Sequence, residues 1–362
     1  MAKTLKMSVF SDFHYRKFAY PGTLRDLDVI LKRAADNDVD FVIHAGDFCN
    51  DYHESPELMP AYLQNKYNLP VYGIYGNHEL EYLIHDCRDY DDKPPMQLVT
   101  PFLTNRADEV VWGTPDGKPL ADGSIAYYWF EKNGFRIICT DTHYSYSEER
   151  GVWEHNPTLY VPKGNVMTES LGDVQRQWLE DVLTDAAHKD IPCIVFSHAA
   201  FADGWHPSHD RDNVRAIFNR VNAIRKGTVV AAINGHLHTD NAEVVDNIVF
   251  LDINTVNNGY FLTPGFPHYD EEHTFLYTDY DAEGNEGETY ERPYKELFYN
   301  LMGNYCWFYR DPLSAIITVS DDGTVTVDGS ESEWAYGILP PDTAKRGKHP
   351  KITSGVYKME RD

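Results

Sequence analysis

The sequence predicts an α/β fold. Short apolar runs alternate with helix-period segments through the first third of the chain, and paired apolar runs flanking Asn-Gly or Asp-Asn mark hairpins further on. Hydrophobic residues make up 42% of 362 residues, enough to bury a substantial core.

Leu5–Phe10 is an apolar run placed to form the first strand. Thr23 followed by Asp26 has the form of a capping box, and Leu24, Leu27, Ile30, Leu31 and Ala34 then recur at helical spacing. Phe41–Ala45 reads as a second buried strand, the stretch after Ser55-Pro56 as a helix, and Val71–Tyr75 as a third strand. This β-α-β-α-β order predicts parallel pairing with right-handed crossovers. Ala126–Phe130 and Phe135–Thr140 flank Asn133-Gly134 as a hairpin. Ser170 with Asp173 is placed to open an amphipathic helix carrying Val174, Trp178, Leu179, Val182, Leu183 and Ala186. Cys193–Phe196 and Thr228–Ile233 are strands, with a helix between them marked by Val214, Ile217, Phe218 and Val221. Asp246-Asn247 and Asp321-Asp322-Gly323 turn two further hairpins.

One domain is expected over residues 1–335, interrupted at about 259–311 by a segment with nine Tyr that reads as an insertion, packing over the site or against another copy in a homo-oligomer. Residues 336–362 read as a polar, frayed tail.

The formal net charge of -25 disfavours nucleic acid as a ligand, and any phosphate site in this chain needs its own local positive charge. Five Cys without a CxxC pair suggest neither a disulfide framework nor a thiolate zinc site, and Cys139 and Cys193 fall inside apolar runs as buried thiols. No run approaches the ~18–20 apolar residues of a membrane span, and Met1–Lys6 leads straight into a strand, so a cytoplasmic enzyme without a membrane anchor is expected.

Five motifs each follow an apolar run: Asp12-Phe13-His14, Gly46-Asp47, Gly76-Asn77-His78-Glu79, Ser197-His198 and Gly235-His236-Leu237-His238. In an open α/β sheet the carboxyl ends of neighbouring strands face one crevice, so five strand ends can aim their side chains at one point. Asp, Asn and His supply oxygen and nitrogen donors suited to Mn, Fe, Zn, Co or Ni. The i, i+2 spacing in Asp12/His14 and His236/His238 sends both side chains the same way on extended backbone. Gly46, Gly76 and Gly235 permit close backbone approach beside the donors.

Together these motifs resemble the calcineurin-like metallophosphoesterases over roughly residues 7–253. The resemblance implies two β-sheets packed face to face with helices outside and two divalent transition-metal ions at their edge. It implies Asp12, His14 and His238 on the first ion, Asn77, His198 and His236 on the second, Asp47 bridging them, and His78 beside the leaving group. The implied reaction is hydrolysis of a phosphate ester by a metal-bridging hydroxide, with His78 either protonating the leaving alkoxide or stabilising charge on a phosphoryl oxygen. Purple acid phosphatases of the same superfamily carry a Tyr ligand three residues after the bridging Asp. Asn50 stands there in this chain, which argues for two divalent ions over a Tyr–iron(III) centre.

His53, His143, His206 and His209 are candidate substrate contacts in the surrounding loops, whereas His44, alternating with apolar residues, reads as a packed strand histidine. The expected substrate is a small soluble phosphomonoester or phosphodiester. A phosphoprotein phosphatase, a nuclease and a non-catalytic scaffold are the alternatives; the last sits poorly with a complete donor set, and the nuclease with the acidic balance.

Overall fold

A computed structural model describes residues 3–14, 23–49, 55–79, 103–118, 125–147, 150–155, 165–203, 207–260, 274–280, 286–293, 306–334 and 349–362. Two sheets dominate. The first has six strands. At its centre β1 (Thr4–Phe10) pairs in parallel with β2 (Phe41–His44), and β2 with β3 (Val71–Gly73). On the other side of β1 lie, antiparallel in turn, β18 (Ala315–Ser320), β19 (Thr324–Gly329) and β20 (Gly355–Lys358).

The second sheet has seven strands. Its parallel centre is β6 (Phe135–Cys139), β10 (Cys193–Ser197), β11 (Val229–Asn234) and β13 (Ile248–Asp252). β4 (Val111–Trp112) and β5 (Tyr128–Lys132) extend one edge, and β12 (Asn241–Val245) forms the other.

Strand alternation builds the layers. Met7, Val9, Phe41 and Ile43 of the first sheet meet Ile137, Ile194, Phe196, Ile233 and Leu251 of the second in one buried cluster. The opposite faces are apolar too: Phe10, Val42 and Ile316 pack under α1 (Thr23–Asp36) and α2 (Ser55–Leu63). Ile138, Val195, Ala232 and Phe250 pack under α3 (Gly172–Lys189) and α4 (Arg211–Ile224). Strands buried on both faces require this near-continuous hydrophobicity. The result is the expected pair of face-packed sheets with helices outside.

The hairpins follow their turn residues. Asn133 and Gly134 both take positive φ (52° and 84°), as do Asp246 and Asn247 (53° and 63°), the requirement of a type I′ turn.

Two expectations are corrected. Helix α3 is capped by Leu171, not Ser170, which ends a strand; Val174 is 77% exposed, and the buried position beside it is Gln175. That polar residue is buried because its amide bonds the backbone of Asp141 in both directions, Asp141 N–H to Oε1 at 2.8 Å and Nε2 to Asp141 O at 2.6 Å. The stretch read as frayed tail supplies β20, anchored by Ile352 and Met359 in the main core.

Within the Tyr-rich segment, β14 (Asn258–Tyr260) pairs with β17 (Cys306–Phe308), and β15 (Thr274–Tyr280) with β16 (Glu286–Pro293). Tyr309 packs into the main core against Trp334. Cys49, Cys139 and Cys193 are buried, the last two as free thiols. Among the described residues no helix is long and apolar enough to cross a membrane.

Candidate metal centre

The carboxyl ends of β1, β2, β3, β10 and β11 open on one crevice, and the five motifs meet there. Two sets of donor atoms, each mutually within 4.8 Å, form there: Asp12, His14, Asp47 and His238, and Asp47, His198 and His236. Asp47 belongs to both.

In the first set His14 Nε2 lies 2.9 Å from His238 Nε2, His238 Nε2 3.2 Å from Asp12 Oδ1, and His14 Nε2 3.7 Å from Asp47 Oδ2. In the second His198 Nε2 lies 3.3 Å from Asp47 Oδ2 and 3.2 Å from Asn77 Oδ1. Ligands about 2.1 Å from a tetrahedral ion stand about 3.4 Å apart. These separations, and a mixed imidazole, carboxylate and amide set, fit a divalent cation in each half. His198 Nδ1 donates to the Ala45 carbonyl at 2.8 Å. A carbonyl can only accept, so Nδ1 carries the proton and Nε2 is left as the donor atom for an ion.

The backbone that achieves this is not the extended chain expected from i, i+2 spacing. Asp12 (φ 53°), His14 (48°), Asp47 (50°), His236 (68°) and His238 (49°) are all left-handed. Such conformations cost of order 1–3 kcal/mol each for non-glycine residues and persist where surrounding contacts over-determine them. Here those contacts are visible: Asp12 N–H donates to Gly46 O and His14 N–H to Asp47 O, tying the loop after β1 to the loop after β2. His236 N–H then donates to both Asp12 carboxylate oxygens, at 3.1 and 3.0 Å. Gly235 is required by space, since a Cβ there would overlap Ser11 Oγ.

Burial opposes ionisation of both carboxyls, yet Asp12, facing His238 and His198, is held below its ordinary pKa, and Asp47, facing His198 and His78, well below. Burial alone would push the His198 imidazole down; Asp47, with help from Asp12, pushes it up to about 10. His14 is driven well below its ordinary value by burial and by the neighbouring His78 charge.

Glu79 is the organising residue that the motif conceals. The sequence suggests it as an orienter of His78 or a helix cap. Its fully buried carboxylate instead accepts from the N–H groups of Asp47 (2.9 Å), Cys49 (2.9 Å) and Gly76 (2.6 Å), joining the loops after β2 and β3. Burial and the Asp47 charge push its pKa up to about 7. Glu79→Gln is expected to turn an amide NH₂ toward one of those N–H donors and to destabilise the protein by about 1–3 kcal/mol. Denaturant unfolding measures this; an unchanged midpoint would refute the bracing role.

His78 donates its backbone N–H to Asp47 Oδ1 at 2.9 Å, and its ring stands edge-on to His14 at 4.6 Å between centroids. His143 is buried at the end of β6, its Nδ1 2.7 Å from Asp141 Oδ1 and its ring 6.3 Å from that of His198. The His209 side chain is exposed, and its backbone N–H donates to Glu169 O at 3.1 Å. His53 and His206 lie outside the described residues. His44 packs on Phe48 at 4.7 Å, and burial pushes its pKa down to about 3, so it is a neutral core histidine. Glu169, which sequence reasoning did not single out, places Oε1 2.9 Å from His236 Nε2.

An α/β sandwich that gathers Asp, Asn and His at the ends of strands from both sheets is built to hold divalent cations. The chain belongs to the calcineurin-like phosphoesterase family, whose pattern matches residues 5–240. That family uses divalent metal ions and hydrolyses phosphoesters. No curated protein matches the sequence. Among solved structures, a dimetal phosphatase from Danio rerio is similar with a TM-score of 0.55 at 15% identity, covering 98% of this chain and 100% of that one. GAP50, the anchor in the inner membrane complex of Plasmodium, aligns with a TM-score of 0.46 at 10% identity, covering 99% and 90%. At 15% identity the likeness to the Danio rerio phosphatase is one of fold.

Proposed function

We propose that this chain hydrolyses a small soluble phosphate ester, monoester or diester, at a centre of two divalent transition-metal ions. The observation that carries this is the pair of donor sets sharing Asp47. Asp12, His14 and His238 would hold the first ion, and Asn77, His198 and His236 the second. Bound there, the ions would supply Lewis-acid polarisation of the phosphoryl oxygens and activation of water.

The protein residues do the rest. Glu79 and the cross-bonded loops fix the donors before substrate arrives, so little reorganisation remains. His78 stands beside His14, with its backbone N–H on Asp47, and is partly exposed, placed to give a proton to the leaving alkoxide. His143, held by Asp141, keeps a buried Nε2 without a hydrogen-bond partner among the described residues, a group suited to a phosphoryl or leaving-group oxygen. The net charge of -25 argues against polyanionic substrates, whose binding grows with the number of Lys and Arg contacts. The Tyr-rich segment at 259–311 is proposed to shape the substrate side or a homo-oligomer contact, with tyrosines offering rigid area and a hydroxyl.

A panel of monoester, diester and pyrophosphate substrates with added Mn²⁺ tests the reading. Metal-dependent turnover of at least one small ester is expected. Turnover insensitive to chelation, or a preference for DNA or RNA over every small ester, would overturn it.

A further inference from the structure

The His198 and His236 half of the centre has a neighbour that the five motifs do not contain. A three-stranded sheet, β7 (Tyr144–Ser147) flanked by β8 (Val152–His155) and β9 (Asn165–Ser170), stands beside it. Near the end of β9 Glu169 takes a left-handed backbone, φ 62°. The Glu169 carbonyl is clamped by Ser208 Oγ at 2.8 Å and by the His209 N–H at 3.1 Å. Ser208 is itself fixed by Asp210 Oδ1 at 2.9 Å, and Asp210 Oδ2 accepts from Leu171 N–H at 3.0 Å and Arg176 at 2.7 Å. This braced turn delivers the mostly buried Glu169 carboxylate to one atom, His236 Nε2, at 2.9 Å.

An imidazole has two ring nitrogens, and a neutral one carries a proton on only one of them. A carboxylate accepts hydrogen bonds, so Glu169 stabilises the tautomer with the proton on Nε2. That leaves the Nδ1 lone pair for an ion. The donor set of Asp47, His198 and His236 closes within 4.8 Å without Glu169, so the carboxylate need not enter the coordination sphere to matter.

We infer that Glu169 is a positioning residue, the outer carboxylate of a carboxylate–histidine–metal relay in which His236 binds the second ion through Nδ1. It fixes the ring and raises the basicity of the ligand nitrogen, as outer carboxylates on metal-bound histidines do. This rests on the two-ion reading above and adds to it a specific atom and a specific helper. First-ion donors are untouched, so the effect is confined to one half of the centre.

Two measurements on the full chain test it. The first is the tautomer of His236 in metal-free, ¹⁵N-histidine-labelled protein, read by long-range ¹H–¹⁵N correlation. The Nε2–H form is expected in the wild type and a loss of that preference in Glu169→Ala; addition of Zn²⁺ should shift Nδ1. A Nδ1–H form, or a Zn²⁺ shift at Nε2, would overturn the relay. The second is Mn²⁺ titration by calorimetry with elemental analysis. Glu169→Ala should weaken the second ion by about 10–100-fold and leave the first unchanged, with Glu169→Gln, which keeps an acceptor without the charge, in between. Glu169→Gln also serves as the check on folding. Equal affinities for both ions in all three proteins would overturn the relay. A wild type that binds fewer than two ions would overturn the dinuclear reading, and the tautomer measurement would still decide the Glu169 contact.

Discussion

Asp47→Asn is expected to weaken both ions together and to lower kcat/KM by at least about 10³-fold. Lewis-acid stabilisation by bound ions is worth several kcal/mol, and each 1.36 kcal/mol is tenfold in rate. Asp47 is singled out because it alone belongs to both donor sets. Asp47 turns one oxygen, Oδ2, toward both His14 and His198 and the other, Oδ1, toward the His78 N–H, so an amide must set its NH₂ against either the ions or that N–H, and one of the two carboxylates in the donor sets is lost with it. The loop itself should survive, since Asp47 donates to the Glu79 carboxylate at 2.9 Å through its backbone N–H, which the substitution does not touch. Elemental analysis after reconstitution with excess metal reads the first part. The wild type should approach two equivalents, and the variant should lose both over the same range of free metal. Loss of one ion with full retention of the other would show that Asp47 is not a bridge. The control is His238→Ala, which is expected to affect the first ion more than the second, because its Nε2 contacts are to Asp12 and His14.

How much of this was legible in the sequence depends on what kind of signal each residue leaves. The five motifs were legible because each ends an apolar strand, and the sheet topology then carries strand ends to one crevice. The parallel order of β1, β2 and β3 and the turns at Asn133-Gly134 and Asp246-Asn247 were legible for the same local reason. The backbone at the donors was not. Asp-x-His and His-x-His read as extended pairs, whereas Asp12, His14, His236 and His238 are left-handed. That conformation is imposed by bonds between loops far apart in sequence, and no local propensity encodes it. Glu169 was invisible because it sits in Thr168-Glu169-Ser170 with no glycine and no apolar run before it, and its meaning comes from a loop some forty residues on. The α3 face was misread at Val174 because tertiary context overrode the pattern: Gln175 is buried to bond Asp141, which in turn holds His143. β20 was missed because it is a four-residue edge strand, Gly355–Lys358, without one fully buried position, and so leaves no buried apolar alternation to read.

His78→Ala should keep both ions and lose much of the turnover, about 10²–10⁴-fold for an alkyl phosphate. His78 is adjacent to the donor Asn77 but belongs to neither donor set, and its link to Asp47 runs through its backbone N–H, which alanine retains. Its ring stands edge-on to His14, so removal leaves space beside a donor without taking a donor away. The loss should therefore depend on the leaving group. An alkoxide needs a proton as the P–O bond breaks, and the variant cannot give it. Nitrophenolate leaves without one, so the penalty for a nitrophenyl ester should shrink toward the lower end of the range or below. The comparison is made on metal-saturated protein, with metal content measured for each sample so that a small change in ion affinity is not counted as chemistry. An equal loss for both substrates would remove the proton-donor role and leave His78 as a stabiliser of charge on the phosphoryl oxygens. A loss of one ion in the variant would instead place His78 among the residues that hold the centre, and the assignment of its neighbour Asn77 to the second ion would have to be tested by Asn77→Ala.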